Sequence, residues 1–216
     1  MGRRVLLIGI VLLTLIPQLC LAGRDVQVFT EELVPVHYEQ HGQVVGIATD
    51  IVRAMFALAG VSPKFTVYPW KRAYAMVQLQ PDSFIFTINR TSSREQKFKW
   101  IGPILPKRTF LYKFASRTDI QVDSLEDVKQ YTTAVILGYA MTEMLQEEGF
   151  EVGRQLLVTR NKGNQVRAFV QGHADLITGN EYTLGCAMQK AGYSARDMEP
   201  VLLVNDRGYY LAANLD

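Results

Sequence analysis

Hydrophobic residues between positions 68 and 103 follow first a helical and then a strand pattern. Trp70, Ala73, Tyr74 and Val77 are spaced i, i+3, i+4 and i+7, so they form one face of a helix. Residues 84–88 are a continuous apolar run between polar turn residues, which is typical of a strand buried on both faces. The pattern predicts a helix followed by a buried strand.

The predicted strand ends in a polar turn, residues 89–94, which contains hydroxyl side chains and two arginines, Arg90 and Arg94. In an open α/β sheet, ligands bind beyond the carboxyl ends of the strands. A guanidinium group binds a carboxylate with two parallel hydrogen bonds. The turn is therefore a candidate carboxylate site, with a solvated basic turn as the alternative.

Similar patterns predict further elements along the chain, with glycines closing several helices. The predicted strands are 26–29, 65–68, 109–114, 132–137, 155–159, 201–204 and 209–212, and the predicted helices are 47–58, a short one from Ser124, 141–148, 164–171 and 182–190.

The N-terminus has the features of a secretory signal. Arg3 and Arg4 precede an apolar run, residues 5–16, that is too short to span a bilayer, and small residues precede a cleavage point after Ala22. We interpret residues 1–22 as a cleaved signal peptide, with a membrane anchor as the alternative. A lipoprotein site at Cys20 is disfavoured by the bulk of Leu19.

Composition excludes several classes of function. Without residues 1–22 the chain has 21 basic and 21 acidic residues, so it lacks the basic footprint that nucleic acid requires. Cys186 is then the single cysteine; it has apolar neighbours, and we expect a buried structural thiol and no disulfide. His37 and His41 have no third ligand at metal spacing, so we expect solvated histidines and no metal site.

The order of the central motifs resembles the extracytoplasmic solute-binding proteins of the polar amino-acid type, bacterial family 3, which deliver ligands to ABC importers. The matching residues are Thr87, the T-x-x-R turn at 91–94, Phe98, Trp100 and Pro103. Residues 69–73 are similar to one subgroup whose ligands are less well defined. The resemblance implies a two-lobed, type II periplasmic-binding-protein-like α/β fold with a hinge of two crossing strands. Lobe 1 would comprise 23–108, with 206–216 returning through the hinge, and lobe 2 would comprise 109–205.

The resemblance also implies a ligand site with contacts from both lobes. The implied residues are Glu31, Trp70, Thr87 and Arg94 from the first lobe and Gly138, Tyr139, Ala140, Asn180 and Glu181 from the second. Arg94 would hold a carboxylate, with Arg90 as the competing candidate. Trp70 would stack on the ligand or pack in the core.

One position departs from the family pattern. The aspartate that pairs with a ligand's α-ammonium is replaced by Asn180, and a neutral amide cannot supply a charge-assisted bond. Either Glu181 replaces it, or the ligand is not a standard α-amino acid.

The resemblance predicts a periplasmic, monomeric protein that needs no cofactor, binds a small carboxylate-bearing solute and passes it to the permease of an ABC importer. The alternatives are a ligand-sensing or degenerate binding module and, since the fold also hosts dehydratases, an enzyme. No catalytic residues are recognised. Because the family's C-terminal helices do not follow the last predicted strand, we expect exposed apolar sheet surface in the first lobe.

Overall fold

The structure is a computed structural model that describes residues 26–216. The predicted signal peptide lies outside the described residues. The strands are β1 Gln27–Thr30, β2 Tyr38–Gln40, β3 Gln43–Val45, β4 Lys64–Val67, β5 Ser83–Asn89, β6 Lys99–Leu105, β7 Thr109–Phe114, β8 Thr133–Ile136, β9 Leu156–Thr159, β10 Leu176–Asn180, β11 Met198–Asn205 and β12 Tyr209–Ala213. The α-helices are α1 Ile47–Leu58, α2 Trp70–Leu79, α3 Leu125–Val128, α4 Ala140–Glu147, α5 Lys162–Val170 and α6 Leu184–Lys190.

The first lobe is built on a five-stranded sheet of order β4-β1-β5-β12-β6, with helices on both faces. Neighbouring residues of one strand point to opposite faces. Accordingly, Val28 of β1 packs in the cluster that contains Val52 of α1, while Phe29 packs in the cluster that contains Val77 of α2. This alternation explains why one apolar strand is buried on both faces.

The second lobe repeats the arrangement with a sheet of order β11-β7-β10-β8-β9. Leu145 of α4 packs with Leu176 of β10 on one face, and Phe169 of α5 packs with the adjacent Ile177 on the other. In both sheets the parallel strands end on the side that faces the other lobe, which is where this class of sheet binds ligands.

The chain crosses twice between the lobes, at residues 106–108 and 206–208. The strands before and after each crossing pair with one another, β6 with β12 in the first lobe and β7 with β11 in the second. The predicted two-lobed α/β fold with a hinge of two crossing strands is confirmed.

The apolar sheet surface that we expect to be exposed in the first lobe is not found at its last strand. Leu211 and Ala212 of β12 are buried because β12 lies between β5 and β6, where α1 and α2 cover both faces. Exposure on this sheet is seen at Ile101 of the edge strand β6. Within residues 26–216, no helix combines the length and apolar character needed to span a bilayer.

Candidate functional site

A cleft of about 890 Å³ separates the facing surfaces of the two lobes. Its first-lobe wall is formed by residues 31–34, which follow β1, and residues 67–70, which join β4 to α2. Its second-lobe wall is formed by residues 160–163, after β9, and by one side of α5 and α6. The cleft therefore lies beyond strand ends of both sheets. Of the nine ligand-site residues that the resemblance implies, Glu31 and Trp70 line it.

Next to the cleft the lobes are joined by the start of α2 and the turn before α4. The indole nitrogen Nε1 of Trp70 donates a hydrogen bond of 2.7 Å to the carbonyl oxygen of Gly138, and its ring lies 6.0 Å from the ring of Tyr139. Gly138 has a φ of +76°, and an added Cβ would lie 3.2 Å from Cε of Lys71. A glycine therefore gives the closest approach of the two lobes without steric conflict.

Arg94 is held by groups of the second lobe. Its Nη2 donates to Oε2 of Glu143 at 2.8 Å and to the carbonyl oxygen of Gly138 at 3.2 Å. The Arg94 side chain is 3% exposed, whereas that of Glu143 is 39% exposed. Arg90 instead pairs with Glu95 of its own turn. The arginine that reaches the other lobe is Arg94, and its carboxylate partner in this structure belongs to the chain itself.

A further hydrogen bond between the lobes joins the hydroxyl of Tyr139, which donates, to the carboxylate of Glu31. Burial raises the pKa of Glu31 to about 7, and the Tyr139 bond and the charges of Lys162 and Lys107 oppose this rise. Burial also raises the pKa of Tyr139 well above its usual value. The pair combines a proton donor with a carboxylate that lines the cleft.

Two lysines near Glu31 were missed from the sequence. Lys107, in the first crossing, is buried, donates to Oδ1 of Asn89 at 3.1 Å and has a pKa lowered to about 7, chiefly by burial. Lys162, at the start of α5, is half-buried, donates to Oε1 of Gln165 at 2.6 Å and has a pKa lowered to about 8 by burial. Lys162 follows the predicted strand 155–159, so the rule that selected the turn of Arg94 also applies to it, whereas Lys107 follows no predicted strand.

Asn180 and Glu181 have different surroundings. Asn180 is buried; its Oδ1 accepts from the backbone nitrogens of Tyr182 and Thr183, and its Nδ2 donates to the Tyr209 hydroxyl at 3.1 Å. Glu181 pairs with Arg108 in the first crossing at 3.0 Å. Both residues lie at the lobe junction with partners from the chain.

The expectation that His37 is solvated is wrong. It is fully buried behind the site, where its Nδ1 donates to the carbonyl oxygen of Glu31 at 2.7 Å and its Nε2 lies 2.7 Å from Oγ1 of Thr87. Burial lowers the pKa of His37 to about 4. Through these two contacts His37 links Thr87, which has a φ of +60°, to the loop that carries Glu31.

Two residues of the second lobe, Cys186 and Ala140, have surroundings that differ from those expected. Cys186 is not a buried thiol, because it is partly exposed and lines the cleft. Ala140 is buried as the first residue of α4 and does not line the cleft. Within residues 26–216 no group of three or more histidine, cysteine or acidic side chains is placed to hold a metal ion.

Comparison with known proteins gives a family and a fold. The family described as bacterial extracellular solute-binding proteins, family 3, matches residues 26–190. Curated proteins give no match.

Three similar solved structures illustrate the fold. A histidine kinase sensor domain with similarity to periplasmic binding proteins superposes with a TM-score of 0.79 at 17% identity, covering 89% of this chain and 83% of the other. An ancestral arginine-binding protein bound to arginine gives 0.74 at 16% identity, covering 88% and 84%. A structure from work on glutathione import via GshT and the cystine ABC importer TcyBC of Streptococcus mutans gives 0.73 at 18% identity, covering 89% and 82%.

Proposed function

The chain belongs to the bacterial extracellular solute-binding proteins of family 3, and we propose that it binds a small carboxylate-bearing solute, an amino acid or a related compound, in the cleft between its lobes. The observation that carries the proposal is the cleft itself: about 890 Å³ at the strand ends of both sheets, lined by charged side chains from both lobes. Pockets for small molecules have volumes of this order.

The bound solute is then delivered to the permease of an ABC importer. The protein acts as a periplasmic monomer and does not turn over its ligand. Support comes from the neighbours, which include arginine- and glutamine-bound binding proteins and the glutathione import structure. The mechanism is hinge closure at residues 106–108 and 206–208, because a ligand that contacts both lobes favours the state in which they are close.

Ligand sensing is the second candidate function. It is favoured by the similarity to a histidine kinase sensor domain, with a TM-score of 0.79. Delivery and sensing share the ligand-binding step. They differ in which partner protein recognises the closed, ligand-bound conformation.

Thermal melting against single amino acids, organic acids and short peptides tests the binding step. A ligand that binds only the folded state stabilises it by about 2.7 kcal/mol at a hundred times its dissociation constant. For a chain of this size that stabilisation raises Tm by roughly 5–10 °C. A cooperative melt that no solute shifts would contradict the proposal.

Uptake separates the two functions. If the protein delivers its solute, deletion of its gene abolishes high-affinity uptake of the radiolabelled hit. Unchanged uptake, together with loss of a transcriptional response to the same solute, would identify a sensor.

A further inference from the structure

Charged residues that line the cleft are sorted by sign between the two lobes. The first-lobe wall contributes acidic residues and no basic one, namely Glu31 and Glu32. The second-lobe wall contributes basic residues and no acidic one, namely Arg160, Lys162, Arg167 and Lys190. In the part of the chain that the structure describes, none of these six side chains forms an ion pair. Glu31 accepts a hydrogen bond from Tyr139 and Lys162 donates one to Gln165, so the two walls differ in the sign of their charged residues and are not joined by an ion pair.

The anchors that the family resemblance implies have the opposite placement and are already engaged. Arg94, on the first lobe, is bonded to Glu143, and Asn180, on the second, is bonded to Tyr209 and to backbone nitrogens. Neither residue lines the cleft. A ligand in the cleft thus meets the acidic and basic walls rather than these two side chains.

We propose that the ligand is a zwitterion of short-peptide size, bound with its ammonium group toward Glu31 and Glu32 and its carboxylate toward Lys162 and Arg160. This polarity is the reverse of the one that the resemblance implies, and the inference rests on the proposed binding function. Opposite charges from the ligand would neutralise both walls at once.

The electrostatics of Glu31 and Lys162 support the arrangement. Each charge stabilises the charged form of the other, while burial favours the neutral forms of both. An ammonium beside Glu31 and a carboxylate beside Lys162 would further stabilise the charged forms of both side chains against the effect of burial. Lys162 is also the first residue of the nine-residue helix α5, whose N-terminal end favours a negative charge.

The size and lining of the cleft favour a peptide over a single amino acid. Its volume of about 890 Å³ lies near the upper end of the 300–1,000 Å³ range typical of pockets for drug-sized ligands. Between the charged walls the lining is apolar, with Val67 and Trp70 on one side and Val166 and Val170 on the other. Such a lining accommodates side chains or the middle of a peptide.

Trialanine, N-acetyl-trialanine and trialanine amide test the polarity by calorimetry at pH 7.5. We expect trialanine to bind at least about tenfold more tightly than either blocked form, since a hydrogen bond to a charged group is worth about 1.5–3 kcal/mol. Lys162→Gln should remove the preference for a free carboxylate, and Glu31→Gln the preference for a free ammonium. Lys64→Gln, at an exposed lysine outside the cleft, should change neither preference.

The thiol of Cys186 tests the basic wall without a ligand. It lies four residues before Lys190 on α6 and is the single cysteine outside residues 1–22. We expect an anionic methanethiosulfonate to react about tenfold faster than a cationic one, after normalisation to mercaptoethanol, because a basic cleft concentrates anions. Lys190→Gln should lower this ratio, and Cys186→Ser should abolish labelling.

The possible outcomes separate the inference from the function on which it rests. If Arg94→Gln removes the carboxylate preference and Lys162→Gln keeps it, the reversed polarity is wrong while the binding function stands. If single amino acids bind and trialanine does not, the peptide size is wrong. If no amino acid or peptide binds, the proposed function fails. Equal rates for the two thiol reagents would contradict the inference that the second-lobe wall attracts anions, whichever ligand the cleft binds.

Discussion

Acidification should destabilise the protein through His37. The side chain is fully buried, and burial lowers its pKa from 6.5 to about 4. Between these values the unfolded chain binds a proton that the folded chain does not, so this contribution to stability is present above pH 6.5 and is lost as the pH falls toward 4. At pH 5 the loss is about 2 kcal/mol, from 1.5 pH units at about 1.36 kcal/mol each.

The assay is urea unfolding at pH 7.5 and pH 5 for the wild type, His37→Gln and His173→Gln. The glutamine at position 37 changes stability at both pH values because it cannot reproduce both ring contacts, so the quantity to compare is the change between them. With an m-value of about 2 kcal/mol/M, the 2 kcal/mol corresponds to about 1 M in the urea midpoint.

Comparison between variants is required because the titration of Glu31 changes stability with pH in the direction opposite to that of His37. Its pKa is raised to about 7, so its contribution to stability is present below pH 4.5 and is lost as the pH rises through 7. Between pH 7.5 and pH 5 the wild-type curve therefore combines two opposing effects of similar size. His173→Gln, at an exposed histidine, should follow the wild type. If His37→Gln also shows the wild-type change between the two pH values, the assignment of His37 as a buried neutral group is refuted.

Two further predictions concern the junction between the lobes. Glu143→Gln should lower stability by about 1–2 kcal/mol and Glu95→Gln by less, measured by urea unfolding. The two glutamates are equally exposed, but Arg94 is buried while Arg90 is 42% exposed, so equal losses would contradict the dependence on burial. Gly138→Ala should lower Tm and weaken contact between the lobes, seen as a larger radius of gyration in solution scattering, because its φ of +76° disfavours any side chain; an unchanged Tm would contradict this expectation.

Much of the fold could be predicted from the sequence because each lobe follows a local rule. Trp70, Ala73 and Val77 are buried along one side of their helix, and most of the apolar run at 84–88 is buried as a strand. The spacing of the apolar residues predicts both results. The hinge could be predicted only through the resemblance. Two strand crossings depend on pairing between residues about a hundred positions apart, such as Tyr209 with Leu105, and periodicity carries no information about such pairing.

The partners of the site residues could not be predicted from the sequence. The basic turn indicates Arg94 and the resemblance implies Thr87, yet the contacts of both side chains depend on which loops of either lobe fold onto them. Glu143 and His37 supply those contacts and gave no signal beyond being polar. The lack of metal-ligand spacing predicts a solvated His37, but it carries no information about the three hydrogen-bonding neighbours in the first lobe that make burial of the ring possible.

The arrangement of charge gives a physical reason for the departure at Asn180. A family aspartate at that position would place a carboxylate beside the Tyr209 hydroxyl, at the junction where burial and then the charge of Glu31 raise the pKa of Tyr209. Two carboxylates at one buried junction disfavour each other's ionisation. With a neutral amide on the second lobe, the carboxylates that face a ligand ammonium remain on the first lobe, at Glu31 and Glu32. The asparagine is therefore what a binding site of reversed polarity requires, and Asn180→Asp should raise the pKa of Glu31 further and weaken, rather than strengthen, the binding of a zwitterion.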